Sequence, residues 1–241
     1  MAFLDGEVEL KFAKLALRTG LPRPTVYRLV NEMVAWGVLE RGSGGVRLGM
    51  RLFELGEMVP GRRDLQTTAL PNTNDLAVAT GQSVHLAVLD GLEVLYLEKI
   101  SARSAPELPS RVGGRTPLHC TAVGKSLLAF AEPDIQQQVL SAPRSRRTRR
   151  TIVDPRALVY QLDRIRTTKT AFEFEESAAG VARVACPVVG LNGAVVASVS
   201  ISGWTNLINV DRVAPAVHTA ALTLSRALQT VRKRQEARRM R

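Results

Sequence analysis

The sequence predicts an α+β protein in two parts. A small N-terminal winged helix-turn-helix comes first, followed by a larger domain in which an antiparallel sheet is flanked by helices. Three observations carry this reading. Two apolar helical stripes separated by a glycine turn occupy residues 10–36, and a glycine-rich hairpin follows directly. Further along, Asp90-Gly91 and Asn192-Gly193 each interrupt a pair of strand-like runs, which makes hairpins and therefore an antiparallel sheet.

The first helix carries Phe12, Leu15 and Ala16 at i, i+3, i+4 and stops at Thr19-Gly20-Leu21-Pro22. Pro24 suits the first turn of a second helix, where no amide donor is lost. Val26, Leu29, Val30, Met33 and Val34 then make one buried face. Ala16, Gly20, Val26 and Leu29 fall where a helix-turn-helix needs a small crossing residue, a turn glycine and two apolar anchors. The outward residues at the start of the second helix are Arg23, Thr25, Tyr27 and Arg28, with Asn31 one turn on. These side chains can bond phosphates and base edges in a DNA major groove. Val38–Arg41 and Val46–Leu48 read as the strands of a wing, with Arg41 and Arg47 placed to touch phosphate or the minor groove.

A short helix, Arg51–Gly56, leads to a hinge at Pro60-Gly61, and another helix ends near Gly81. Strands follow at Ser83–Leu89 and Glu93–Ile100, and again at Val181–Val189 and Ala194–Ile201. Helical stretches at Ala122–Ala131 and Pro155–Thr168 lie between them. A long helix from about Val210 presents Val213, Val217, Ala220 and Leu224 on one side.

Composition bounds the function. The chain has 241 residues, 45% of them hydrophobic and 23% charged, as expected of a soluble globular protein. Cys120 and Cys186 form no C-x-x-C pair, no apolar run approaches a membrane span, and Asp5 and Glu7 interrupt any secretory signal. The expectation is a cytoplasmic protein with no membrane association. The net charge of +11 is unevenly spread. Residues 1–60 hold eight basic and seven acidic side chains, whereas segment 141–170 holds nine Lys/Arg against Asp154 and Asp163 and the tail 226–241 holds seven basic residues against Glu236. That segment includes the run Arg144, Arg146, Arg147, Arg149 and Arg150; composition alone favours a solvated loop there.

Catalytic motifs fail on inspection. Gly124-Lys125-Ser126 ends like a phosphate-binding loop, but His119 stands where its first glycine is required. His119 and Cys120 lack further ligands close in sequence, so a hydrogen-bonded histidine and an inert core cysteine are expected. Glu173, Glu175 and Glu176 interleave with Phe172 and Phe174, which is strand patterning with Glu173 and Glu175 on one face. The reading is no enzyme, no metal and no cofactor.

Five stretches carry a family resemblance: LALRTGLPRPTVYRLV, GVLERGSGGVRLGMRLFELG, SVHLAVLDGLEVLYLEKI, RVGGRTPLHCTAVGKSLLAF and FEFEESAAGVARVACPVVGLNGAVVASVSISG. In order and spacing the chain resembles the IclR (isocitrate lyase regulator) transcription factors. The resemblance implies a winged helix over residues 1–48, a linker helix over 49–62 and a GAF-like effector domain over 63–241. It also implies a homodimer or homotetramer that binds a double-stranded DNA operator under control of a small organic effector, often a carboxylate.

By position, the resemblance places Thr121, Ala122, Val123, Glu173, Arg183, Ser200 and Ser202 around the effector. Ser200 and Ser202 share a strand face, and hydroxyls converging with a guanidinium suit a small oxygen-rich anion. Two departures stand out. The family has a further helix ahead of the helix-turn-helix, whereas only Met1–Gly6 precede Glu7, with Ala2-Phe3-Leu4 resembling that helix's end. The expectations are a true start upstream of Met1, or alternatively a ligand-binding oligomer whose DNA binding is impaired. Lys169 stands where the family usually has a turn glycine.

Overall fold

The computed structural model describes residues 3, 7–59, 62–102, 106 and 110–239. The chain divides into two compact units, Met1–Arg63 and Asp64–Arg241. The hinge expected at Pro60-Gly61 lies outside the described residues, as does the expected helix remnant apart from Phe3.

In the first unit, α1 (Phe12–Thr19) and α2 (Arg23–Ala35) precede β1 (Leu39–Arg41), β2 (Val46–Leu48) and α3 (Arg51–Glu57). Gly20 ends α1 at φ 67°, where its amide donates to Ala16 O at 3.0 Å. Glycine takes that left-handed conformation without a Cβ penalty. α2 begins one residue before Pro24, so the missing donor falls in the first turn. Val26 and Val30 are buried, and Leu29 and Val34 half-buried. Met33, expected on the same face, is exposed.

The chain ahead of α1 joins the wing. Leu10 and Val46 exchange both backbone hydrogen bonds at 2.9 Å, and the Glu9 carboxylate accepts from Gly44 N at 2.6 Å. A Cβ on Gly45 would lie 2.2 Å from Leu10 O, so this approach requires glycine. Leu10, Leu15, Val26, Val30, Leu39 and Val46 form the unit's core.

The second unit takes in all but the first two residues of α4 (Arg62–Thr80) and holds a six-stranded antiparallel sheet in the order β5-β4-β3-β8-β7-β6. The strands are β3 (Ser83–Asp90), β4 (Glu93–Ile100), β5 (Arg115–Pro117), β6 (Ala171–Phe174), β7 (Val181–Val189) and β8 (Val195–Trp204). The helices α5 (Ala122–Leu128), α6 (Pro133–Ser141), α7 (Pro155–Thr168) and α8 (Val210–Arg239) complete the unit.

Both hairpins exist, with corrected turns. Asp90 pairs with Glu93, so the two-residue turn is Gly91-Leu92 with Gly91 at φ 60°, one residue later than expected. The second hairpin is a longer loop, Gly190–Ala194, closed by Gly190 N donating to Ala194 O at 2.8 Å. α5 ends three residues earlier than the pattern suggested. There Phe130 and Ala131 turn back to carbonyls three residues behind them, and Pro133 begins the next helix.

Strand alternation gives the sheet two different faces. One is apolar: Val84, Leu86, Val184, Cys186, Val199 and Ile201 pack with Leu65, Leu76, Val217 and Leu224 of α4 and α8. The other packs Ala87, Val94, Tyr96, Ala171 and Ala185 against Leu118, Val123, Leu127, Leu158 and Leu162. On this second face the same alternation buries Ser83, His85, Glu173, Arg183, Ser200 and Ser202. α7 ends on Lys169 at φ 56°, a position that glycine would occupy more cheaply; its amide donates to Ile165 O at 2.8 Å and its ammonium lies 4.4 Å above the Phe130 ring.

Candidate functional site

The DNA-facing residues expected from sequence lie at the surface of α2 and the wing. Arg23, Tyr27, Arg28, Asn31, Arg41 and Arg47 are exposed, and Thr25 is half-buried. Most are held in place by neighbours. The Tyr27 ring stacks on Phe12 with centroids 4.3 Å apart and planes 10° from parallel, so α1 buttresses it. Arg28 Nη1 donates to Glu32 Oε1 at 2.8 Å, one turn along α2. Arg41 Nη2 donates to Asn31 Oδ1 at 2.6 Å, which ties the wing to the helix. Arg47 bonds Glu40 Oε2 through Nε at 3.1 Å and Nη2 at 3.0 Å. Exposed pairs of this kind exchange readily for phosphate because each is worth little in water.

In the second unit, two ranks of side chains cross the sheet. Glu173, Arg183, Ser202 and Ser83 occupy one rank on β6, β7, β8 and β3. Ala171, Ala185, Ser200, His85 and Lys99 occupy the next. Arg183 Nη1 donates to Glu173 Oε2, and also to Ser177 Oγ at 2.5 Å. Glu173 Oε1 accepts from the amides of Glu176 and Ser177 at 2.9 and 3.0 Å. A buried carboxylate is thereby matched by a guanidinium and two backbone donors. Beside this pair, Ser202 Oγ is buried without a hydrogen-bond partner among the described residues.

The loop after β6 is fixed on its other side too. Lys125, fully buried on α5, donates to Glu176 Oε1 at 2.5 Å and Gln161 Oε1 at 2.7 Å. Burial raises the Glu176 carboxyl above its usual range, while Lys125 pulls it back down. Glu175, expected to continue the strand, instead sits at φ 57° beyond its end, and Gly180 N bonds its carboxylate. The strand-face reading therefore holds for Glu173 and fails for Glu175.

Thr121, Ala122 and Val123 are buried at the start of α5, and the Thr121 hydroxyl is spent as its cap, accepting from Gly124 N at 3.0 Å. Any contact from that hydroxyl to a ligand would compete with the cap. His119 bonds Ser145 O at 3.1 Å, and burial pushes the Cys120 thiol up to about 11, leaving it protonated and inert.

Sequence reasoning missed His85, Tyr96, Lys99 and Ser177. His85 Nε2 lies 3.0 Å from Ser110 Oγ, and Lys99 Nζ donates to Ser110 O at 2.7 Å. Burial, with Arg183 and Lys99 nearby, drops the His85 pKa to about 3, so the ring is neutral. The signal was present: Ser83 and His85 alternate with Val84 and Leu86, as Ser200 and Ser202 alternate with Val199 and Ile201. A strand whose two faces are polar and apolar, yet both buried, marks a lined polar site. Among the described residues no cluster of His, Cys, Asp and Glu could hold a metal ion, and no helix is long and apolar enough to cross a membrane.

Two family models match the chain. Residues 58–226 match the family model described as bacterial transcriptional regulator IclR C-terminal, and residues 2–43 match the IclR helix-turn-helix domain. The chain is 33% identical over 232 residues to the HTH-type transcriptional regulator XynR of Escherichia coli, covering 94% of this chain and 92% of that one. It is 34% identical over 228 residues to KdgR of the same organism, covering 92% and 87%. Among solved structures, an IclR homolog of Microbacterium hydrocarbonoxydans complexed with 4-hydroxybenzoate superposes with a TM-score of 0.87 at 32% identity, covering 94% of each chain.

Proposed function

Because the chain belongs to the IclR family of transcriptional regulators, which are not enzymes, we propose that its operator binding is controlled by a small carboxylic acid bearing a hydroxyl or keto group. The observation that carries this reading is the buried rank Glu173–Arg183–Ser202. It joins a guanidinium with donors to spare and a hydroxyl that lacks a partner among the described residues. Arg183 and Ser200 take the acid's oxygens in this reading, Ser202 and Glu173 Oε2 take its hydroxyl, and the backbone of Thr121, Ala122 and Val123 lines one wall. Leu118, Val123 and Leu127 supply apolar surface for an aromatic body. The related structure with 4-hydroxybenzoate supports an acid of this size and character.

DNA contact falls to Arg23, Thr25, Tyr27, Arg28 and Asn31 on α2, with Arg41 and Arg47 of the wing on flanking phosphates. The first unit keeps its own core around Leu10 and Val46, which favours a working DNA-binding unit over a ligand-binding oligomer that has lost one. The domain assignment follows: DNA binding over 1–48, a linker over 49–62 and the effector domain over 63–241. The partners are an operator duplex, the effector and a second copy of the chain as homodimer or homotetramer. α3 buries none of its residues and presents Leu52, Phe53 and Leu55 to solvent, a surface suited to pairing with another copy. Such a regulator works in the cytoplasm, where Cys120 and Cys186 stay reduced.

A thermal-shift series of hydroxy and keto acids, beginning with 4-hydroxybenzoate, tests the effector. A ligand at 100 times its Kd adds about 2.7 kcal/mol to stability. Stabilisation by hydroxy acids that is absent with the matching amides supports the reading. Equal response to acids and amides overturns it.

A further inference from the structure

We propose that His85 is a further effector-binding residue, and that it holds a second hydroxyl at the end of the ligand remote from the carboxylate. This role rests on the effector reading above, in which Arg183 faces the acid while Ser202 and Glu173 take a nearer hydroxyl. The sheet register sets the spacing. His85 on β3 pairs with Ser200 on β8, and Ser200 pairs with Ala185 on β7, two residues along from Arg183. Two strand spacings, about 10 Å, therefore separate the backbone that carries the imidazole from the one that carries the guanidinium. The floor between them is low, because Ala185, Ser200 and Ser202 are small and buried. Ser202 Oγ lacks a partner among the described residues, so the protein's own polar groups do not complete this floor. A flat ring laid across β8 would meet the guanidinium at one end and the imidazole at the other.

The imidazole is anchored at one nitrogen and not at the other. Nε2 lies 3.0 Å from Ser110 Oγ, and the ring packs against Tyr96 with centroids 5.5 Å apart and planes at 56°. Nδ1 makes no hydrogen bond among the described residues, although His85 is only 2% exposed. Leaving a polar atom of a buried side chain unpaired costs free energy that a ligand hydroxyl would recover.

Charge selects the chemistry of that far group. Burial, with Arg183 and Lys99 nearby, holds the His85 pKa at about 3, so the ring is neutral and has one donor and one acceptor nitrogen. Which of them faces the ligand follows from the sense of the Ser110 bond. A hydroxyl answers either arrangement, because it both donates and accepts. A second carboxylate only accepts, and it would be desolvated beside a ring that carries no charge. Lys99 is the cation nearest in register, and its ammonium donates to Ser110 O at 2.7 Å.

The experiment compares aromatic acids in pairs that differ only at the para position: mandelate with 4-hydroxymandelate, and phenylpyruvate with 4-hydroxyphenylpyruvate. Calorimetry on the full chain should show the para-hydroxy acid bound at least about ten-fold more tightly, since a site that hydrogen-bonds a hydroxyl rejects the analogue lacking it. His85→Phe keeps a ring but loses both nitrogens, and should bind the two members of a pair alike. A second measurement needs no variant of His85. In protein carrying 15N-labelled histidine, assigned with His119→Gln and His218→Gln, the His85 ring nitrogens should shift with 4-hydroxymandelate and not with mandelate. Equal affinities within both pairs, a preference that survives in His85→Phe, or unmoved His85 nitrogens overturn the proposal and leave the acid reading intact. Tighter binding of 4-carboxymandelate than of 4-hydroxymandelate also overturns it, and assigns the far end to an anion at Lys99. Matching amides that bind as tightly as the acids, or binding by none of the acids, would instead overturn the effector reading itself, and the role of His85 with it.

Discussion

Arg183 and Glu173 face each other as a registered cross-strand pair on β7 and β6, only 5% and 0% exposed. Burial at this depth makes the pair a weak source of net stability. Its desolvation costs about as much as the mutual attraction returns, while removal of one partner strands the other. Glu173 also anchors the amides of Glu176 and Ser177, so the pair sets the position of the loop that closes this end of the site.

Replacing Arg183 alone by Met should therefore destabilise the fold by about 3–5 kcal/mol, since Glu173 keeps its charge without its main counterion. Arg183→Met combined with Glu173→Gln should recover most of that loss. Urea denaturation of both variants measures the coupling, and additive losses would mean the two side chains do not act as a pair.

In that double variant the site is folded but has lost its guanidinium. Calorimetry should then show hydroxy-acid binding weakened at least ten-fold, about 1.4 kcal/mol, relative to the unaltered chain. Equal affinity would remove Arg183 from the effector site.

The fold was largely legible because its signals are local. Helix stripes, turn glycines and hairpin dipeptides each report on a few neighbouring residues. Met33 was misplaced because periodicity marks a helix face, whereas burial depends on what packs against it, a tertiary fact. The turn at Gly91-Leu92 was missed by one residue because Asp90 is taken up in the ladder opposite Glu93. Of the residues proposed for the effector site, Glu173, Arg183, Ser200 and Ser202 came from family position. His85 and Lys99 escaped because nothing local shows that β3 and β4 lie beside β8. The hydrogen bonds that order the arginine loop were not legible for the same reason: the carbonyls of residues 175 and 176 that hold it lie about 25 positions away.

On the DNA face, Arg28→Ala should cost about 1–3 kcal/mol of operator affinity if the guanidinium reads a guanine, and less if it touches only phosphate. Asn31→Ala should add to this, because it also frees Arg41 from α2. A gel-shift titration in which the Arg28→Ala, Asn31→Ala double variant binds the operator unchanged would remove α2 from the recognition surface.

Light scattering should report at least twice the chain mass of 26.2 kDa at micromolar concentration. Leu52→Glu with Phe53→Glu places charges on the exposed side of α3 and should shift the equilibrium toward smaller species. A single-chain mass for the unaltered protein would overturn the dimer. An unchanged mass in the variant would place the interface elsewhere.

The final prediction concerns acid stability and rests on His85. Its pKa is held at about 3 by burial first, then by the neighbouring charges of Arg183 and Lys99, against an ordinary value of 6.5. Above pH 6.5 the ring is neutral both folded and unfolded, so it contributes no pH dependence there. Between 6.5 and 3 the unfolded chain takes up a proton that the folded chain refuses, so stability falls as pH falls. The limiting slope is about 1.4 kcal/mol per pH unit, which gives a loss of about 2 kcal/mol on going from pH 7 to pH 5. His85→Gln keeps a polar side chain within reach of Ser110 and cannot titrate. Urea melts at the two pH values should show a loss for the unaltered chain that exceeds the variant's by about that amount. Parallel losses in the two proteins would mean that His85 takes up its proton without unfolding, and that the polar face of the sheet admits water and charge more freely than its burial implies.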